Sequence, residues 1–396
     1  MPGVSVVIPS YNAARFIGAA INSILGQSQA AQEVIVVDDG STDATSEILA
    51  AFEAHGSLKV IRQQNAGPAA ARNAGIAAAE GELIALMDAD DIALPQRLAL
   101  QAGVLSRHPE LSVVSGGYEW IDETGQSLPW PYHSWRHYPD LNSLRTWLFD
   151  CPIVPSATML RRVTWTAVHG FNPQLVGPED WDFWMRLVLS GQGMAWNREV
   201  VCLYRRVKTS LSSHAQRMSS HSIKALEGII ERPDFPTSLA PLASQALALR
   251  YVDAAKRLFW EGAWEDGGLV LRTALHQDPG LLSGHPCRLE DELVSAAIDP
   301  MVCDPIAFLD STFDHLPDEC ASLRARRGPV RLRCCGELFL LTMAHDKQAV
   351  RRYLVTALRQ LPTALFDRGL WGGAWRAILN RCRRPDRWTP PDRGPI

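Results

Sequence analysis

Along the first 120 or so residues, short apolar runs alternate with stripes of helical period. Val4-Ser5-Val6-Val7-Ile8 is a run of strand length, and Ile17, Ala20, Ile21, Ile24 and Leu25 then recur at i, i+3, i+4, i+7 and i+8, the stripe of an amphipathic helix. Val34 to Val37 predicts a second strand, followed by a Ser41/Thr42/Asp43 capping signal and a helix through Ile48, Leu49 and Phe52. Leu58 to Ile61 predicts a third strand, the Ala-rich stretch Ala69 to Ala79 a helix, and Leu83 to Met87 a fourth strand. Strands that are apolar on both faces and alternate with helices predict an α/β fold: a mostly parallel, Rossmann-like sheet flanked by helices. Ligands of such sheets bind beyond the carboxyl ends of the strands.

From about 110 to 206 the pattern is mixed, with strands expected over Leu111 to Tyr118 and Met194 to Leu203 and a helix over Asp180 to Leu189. After about residue 212 strand signals nearly vanish, and stretches such as Leu239 to Leu275 carry helical periodicity rich in Ala and Leu. The expected organisation is an α/β domain over 1–212, a helical domain over 213–380, and an Arg/Pro-rich, poorly ordered tail over 381–396.

Composition narrows the class. Lys and Arg total 39 against 43 Asp and Glu, a formal charge of −4, which speaks against a nucleic-acid binder with a basic face. An apolar share of 46% with 21% charged residues is that of a globular protein and excludes global disorder. No apolar run reaches the ~20 residues needed to cross a bilayer. The chain enters strand-like sequence directly after Met1-Pro2-Gly3 with no basic and apolar leader. The expectation is a cytoplasmic protein whose membrane contact would be peripheral, at the inner face. The eight cysteines, among them the adjacent Cys334 and Cys335, form no C-x-x-C pair and read as free thiols of a reducing compartment.

Three acidic clusters fall where a parallel sheet binds ligands. Asp38-Asp39-Gly40-Ser41 follows the second strand, Asp88-Ala89-Asp90-Asp91 follows the fourth, and Glu179-Asp180 opens a helix. Two carboxylates separated by one residue leave a strand on the same side, so both can face one hard cation such as Mg²⁺ or Mn²⁺. Asp39 sits in a turn where a carboxylate can accept from a base N–H, Tyr11 offers a flat face for stacking, and Arg72 offers a fork for phosphate or base edges. Neither G-x-x-x-x-G-K-[ST] nor G-x-G-x-x-G follows any of these strands. Together these residues outline a nucleotide diphosphate site that uses a metal in place of a Gly-rich loop.

The segments VSVVIPSYNAARFIGAAINSILGQS, EVIVVDDGSTDAT, NAGPAAARNAG, GELIALMDADDIALPQRL and GPEDWDFWMRL stand in this order between Val4 and Arg206. As a set they resemble glycosyltransferase family 2, inverting nucleotide-sugar-dependent enzymes of GT-A fold. The resemblance covers about half the chain. It implies that Pro9, Tyr11 and Asn12 border the nucleoside and that Asp39 reads the base, most often uracil. It places Arg72 beside the nucleotide, Asp88 near the ribose, and Asp90 on Mn²⁺ or Mg²⁺ with Asp91 adjacent and sharing the role. Asp180 matches the general base, and Glu179 beside it is a candidate to meet the diphosphate or acceptor. A nucleotide-sugar donor and a hydroxyl acceptor (glycan, lipid-linked sugar or protein) are the implied partners. The chain departs from the family where a histidine often follows the last strand: the stretch reads Tyr204-Arg205-Arg206-Val207-Lys208, with His214 further on. Arg205, Arg206 or Lys208 is left to meet the diphosphate or acceptor.

Each cluster has an ordinary reading. Asp38 to Ser41 could be only a turn and cap, Asp88 to Asp91 a solvated turn before a helix whose first turn holds Pro95, and Glu179-Asp180 a complement to a helix dipole. All three at one sheet edge favour the site. Trp181 and Trp184 read as core anchors, and His133 and His137 as surface-loop residues. Trp120, Trp130, Trp135 and Trp147 lie in the acceptor-side region, where stacking on a sugar stays open. Trp371, Trp375 and Trp388 beside Arg376, Arg381, Arg383 and Arg384 leave open a membrane-surface or partner patch. The helical half could also shape the acceptor site or pair two copies as a homodimer. The alternative from a different class is an inactive nucleotide-sugar-binding or scaffolding protein acting through its helical domain.

Overall fold

The computed structural model describes residues 2–128, 137–207, 215–299, 302 and 304–342. β1 (Val4–Ser10), α1 (Ile17–Leu25), β2 (Glu33–Asp38), α2 (Thr45–Ala54), β3 (Lys59–Arg62), α3 (Pro68–Ala77) and β4 (Leu83–Leu86) follow the expected alternation. Val6, Val7 and Ile8 of β1, Ile35 to Val37 of β2 and all of β4 are fully buried, as strands covered on both faces must be. α1 turns Ile17, Ala20, Ile21 and Ile24 inward, the stripe read from its spacing.

Beyond β4 come β5 (Ile92–Ala93), α4 (Arg97–Arg107), β6 (Leu111–Ile121), α5 (Leu144–Phe149), β7 (Thr158–Arg161), α6 (Arg162–Ala167), α7 (Glu179–Leu189) and β8 (Gly193–Arg205). The sheet order is β3-β2-β1-β4-β7-β6-β8-β5. β3, β2, β1 and β4 are parallel, as the alternation predicts. The other half is mixed: β7 runs antiparallel to β4 and β6, β8 parallel to β6 with shifted register, and β5 antiparallel to β8. β5 and β7 escape a sequence reading because two and four residues are too few to show a period.

α3 lies close on the parallel strands through a glycine. A Cβ at Gly75 would sit 2.4 Å from Val7 Cγ1 and 3.2 Å from Val37 Cγ2. Gly75→Ala is therefore expected to cost about 1–3 kcal/mol by overpacking, read as a lower denaturation midpoint at unchanged slope. A variant as stable as the parent would mean that α3 rides clear of the sheet.

Helices take over at α8 (Ala215–Ile230), close to the expected change at residue 212, and continue through α9 (Ala240–Trp260). The first compact unit nevertheless extends to Arg250, beyond the boundary expected at residue 212, because α8 packs on α7 and on the loop before it. The second unit, Tyr251–Ile396, is helical where described: α10 (Trp264–Gln277), α11 (Arg288–Ala297), α12 (Pro305–Asp314), α13 (Ala321–Arg324) and α14 (Arg327–Thr342). Asp304 caps α12 by accepting from the amides of Ile306 and Ala307, with Pro305 at the first helical position. Within this unit Phe259 stacks on Trp264, which stacks on His315. Glu290, buried, is met by Arg326 and Arg333.

Six described cysteines are free thiols. Among the described residues no helix is long and apolar enough to cross a membrane. The tail expected over 381–396, the Trp371 to Trp388 patch, Trp130, His133, Trp135, Lys208 and His214 lie outside the described residues.

Candidate active site

The loop after β1 and the loop after β2 are laced together. Asn12 takes a left-handed backbone (φ 48°), which its short polar side chain tolerates. Its Oδ1 accepts from the Thr42 amide at 2.8 Å while its own amide donates to Ser41 Oγ at 3.0 Å. Pro9 pairs with Val37 in the sheet, and Tyr11 stands 51% exposed beside them, open for stacking. Asp38 accepts from the amide of Ser41 and the hydroxyl of Ser46. Burial opposes its charge, but these bonds prevail and hold the carboxyl below its ordinary value.

Asp39 is turned onto the chain. Its Oδ1 accepts from Gln63 Nε2 (2.7 Å) and the Ala66 amide (2.9 Å), and its Oδ2 from the Gly67 amide (2.8 Å). The carboxylate expected to read a base thus anchors the loop that starts α3, where Gly67 (φ 88°) makes a turn closed to L side chains. Pro68 then occupies the first helical position. A fixed start to α3 aims Arg72, one turn later, across the strand ends.

Arg72 joins two of the three acidic clusters. Its guanidinium, buried, donates to Asp88 Oδ1 at 2.7 Å and to Glu179 Oε1 at 2.6 Å, and lies over the Phe171 ring at 5.7 Å. Burial alone would favour the neutral form, but Asp88 and then Glu179 outweigh it and keep Arg72 above its ordinary value. Glu179 is buried too, its Oε2 held by the Gly177 amide at 2.7 Å. Asp180, next along the N-terminal turn of α7, is partly buried. Burial, and then the charge of Glu179, raise it to about 7 against the pull of Arg72. The Cys151 thiol lies within range of Asp180; burial first and then that charge push it well up.

Asp88 keeps its amide on Ser156 Oγ at 2.9 Å. Burial and then Asp88 raise the partly buried Asp90 to about 6. Asp91 is a different case. It is 1% exposed, its Oδ1 accepts from the Arg205 amide at 2.7 Å, and burial followed by Asp90 and Asp88 lifts it well above its ordinary value. It therefore ties the acidic turn to β8. Arg205, expected at the diphosphate, uses Nε on the Asp90 carbonyl (2.7 Å) and Nη1 on the Asp122 carbonyl (2.9 Å), and lies over the Phe16 ring. Both placements have one cause: backbone groups of the turn at 90–91 and of the end of β8 need partners inside. Arg206 lies over the Trp120 ring at 4.9 Å.

Other side chains support this turn without having been singled out by sequence. Arg97 is fully buried and donates to the carbonyls of Leu86 (2.5 Å) and Thr158 (3.2 Å), and Gln101 donates to that of Ala157 (2.7 Å). They bind β4 to the segment that carries Ser156. Burial lowers Arg97 to about 10, with Cys202, Asp91 and Asp88 opposing. The signal for them was an Arg and a Gln at i and i+4 on the same face as Leu98, Ala102 and Leu105. Trp181 and Trp184 are buried, as core anchors should be, and so is Trp147, which removes it from sugar stacking.

The glycosyl transferase family 2 model matches residues 5–168. The UDP-Glc:alpha-D-GlcNAc-diphosphoundecaprenol beta-1,3-glucosyltransferase WfgD of Escherichia coli is 29% identical over 232 residues, 58% of this chain and 87% of that protein. EpsE of Bacillus subtilis (strain 168), named as a glycosyltransferase, is 32% identical over 195 residues, 48% of this chain and 68% of EpsE. Against several longer curated relatives the chain spans 31% of their length or less. In fold it is similar to the mannosyltransferase PcManGT from Pyrobaculum calidifontis, solved with GDP-Man and Mn²⁺, at a TM-score of 0.51 and 20% identity over 78% of this chain and 86% of that one. The mixed sheet with its flanking helices is the GT-A arrangement, and the chain belongs to glycosyltransferase family 2.

Proposed function

We propose that this glycosyltransferase is inverting and metal-dependent, moving a sugar from a nucleoside diphosphate donor, UDP by preference, to a hydroxyl acceptor in cell-envelope or surface polysaccharide assembly. The observation that carries the reading is Arg72, whose two hydrogen bonds bring the Asp88 turn and the Glu179-Asp180 segment to one place. Asp180 takes the proton of the acceptor hydroxyl as that oxygen bonds the anomeric carbon and the bond to the diphosphate breaks. A value near 7 suits a base that must be ionised yet able to hold a proton at neutral pH. Glu179, with both oxygens engaged by Arg72 and Gly177, orients the pair and leaves the proton to Asp180. Tyr11 stacks on the base. The UDP preference and the polysaccharide setting rest on WfgD, whose name gives UDP-Glc and a lipid-diphosphate acceptor.

The residues fit a divalent cation. Asp88 and Asp90 are only partly buried, and burial followed by the neighbouring Asp88 raises Asp90 to about 6 against the pull of Arg205 and Arg72, so a cation at Asp90 would relieve the repulsion between the two carboxylates. Asp90, with Asp88, would hold Mn²⁺ or Mg²⁺, which offsets charge on the departing diphosphate. Release of nucleotide from a panel of UDP- and GDP-sugars is the test. EDTA is expected to abolish release and Mn²⁺ to restore it; release indifferent to EDTA would remove the metal from the reading. Donor that raises the thermal midpoint yet is never turned over would favour the non-catalytic alternative.

A further inference from the structure

We infer that α8, which lies beyond both the matched family segment and the 1–212 boundary read from sequence, is part of the catalytic apparatus, with His221 as the positioning residue that holds the Asp180 loop in place. The inference rests on Asp180 being the base. Three contacts support it. The amide of Val176 donates to His221 Nδ1 at 3.1 Å. Gly177 takes φ 109° directly against Met218, where an added Cβ would fall 2.0 Å from Sδ. The Gly177 amide in turn donates to Glu179 Oε2, whose other oxygen is held by Arg72. The line from α8 to the acidic centre therefore runs through consecutive bonds: His221 to Val176, Gly177 to Glu179, Glu179 to Arg72, and Arg72 to Asp88.

The chemistry requires such a brace. The residues ahead of α7 form a loop whose backbone has no ladder to hold it, and Asp180 stands one residue beyond Glu179. A proton transfer to Asp180 needs its carboxylate placed to within a fraction of an ångström, and a misplacement of about 1 Å can cost on the order of 100-fold. Because Nδ1 accepts from an amide, His221 must present an unprotonated Nδ1 here, so a side chain with a carbonyl at that position can substitute for it.

His221→Leu removes the acceptor, and His221→Asn places an amide oxygen close to where Nδ1 stood. Full-length wild type and both variants would be compared in nucleotide release from UDP- and GDP-sugars, with water as the hydroxyl that Asp180 deprotonates, and in hydrogen exchange at Val176. His221→Leu is expected to lower kcat by about 10–100-fold with donor KM within twofold, and to speed exchange of the Val176 amide. His221→Asn is expected to recover most of both. His221→Leu with wild-type kcat would overturn the inference while leaving the glycosyltransferase mechanism standing. So would equal losses in kcat and donor affinity that Asn does not rescue, because they report a general loss of structure. A wild type without turnover, by contrast, overturns the mechanism on which the inference rests.

Discussion

Asp180→Asn is expected to reduce sugar transfer by about 10²–10⁴-fold, the usual contribution of a positioned base, while nucleotide-sugar binding followed by thermal shift stays at the wild-type level. Asn keeps the shape and an oxygen for the Trp181 amide, which now donates to Asp180 Oδ1 at 2.7 Å, but it cannot take a proton. The pH profile gives a second reading of the same group. Burial and Glu179 raise Asp180 to about 7, so kcat/KM should rise tenfold per pH unit below that value and level off above it. The sign for stability is opposite to that of a salt-bridged carboxylate. A carboxyl raised in the folded protein binds its proton more tightly folded than unfolded, so the folded state loses stability as pH climbs from the ordinary value of 3.8 to about 7. Asn removes that loss, and the variant should be inactive yet at least as stable as wild type at pH 8. An inactive variant that is also markedly less stable would assign Asp180 a structural role; an active one would move the base elsewhere.

What could be read ahead of the structure was what repeats or clusters locally. β1, β2 and β4 are buried on both faces, so their composition identified them, and with them the parallel half of the sheet. The acidic clusters were visible because Asp38, Asp88 and Glu179 each stand at the end of a strand or the start of a helix. The direction in which each carboxylate turns was not visible. Asp39 faces amides 27 and 28 residues away, and Asp91 an amide 114 residues away, partners that no local pattern names. Arg205 illustrates the same gap: its bonds to the carbonyls at 90 and 122 join segments that no local pattern pairs. Arg97 and Gln101 were missed for the converse reason, since polar residues on a helix suggest solvent until the carbonyls they serve are seen. The role of α8 is likewise long-range, carried by His221 reaching a loop 45 residues earlier.

Arg72→Met is expected to cost about 3–5 kcal/mol of stability, the usual result of removing one partner from a buried ion pair. It would leave Glu179 with a buried oxygen facing no donor and Asp88 without its cation. Denaturant midpoints measure this, and a double-mutant cycle separates charge from packing. In the Glu179→Gln background the same change should cost much less, because no uncompensated carboxylate remains at that position. Arg72→Lys should fall between the two, since a single ammonium supplies charge but not the planar fork that spans both acids. Kinetics should move in a way that stability alone does not explain. Arg72 pulls Asp180 downward, so its loss should carry the acid limb of the pH–rate profile above 7, whereas a mutation that merely loosens the core would lower the rate at every pH. An Arg72→Met protein with wild-type stability would mean that the two acidic segments are held together by something other than this guanidinium. Since those segments come from opposite halves of the sheet, the end of β4 on the parallel side and α7 on the mixed side, the same guanidinium that aims the base also closes the fold around it.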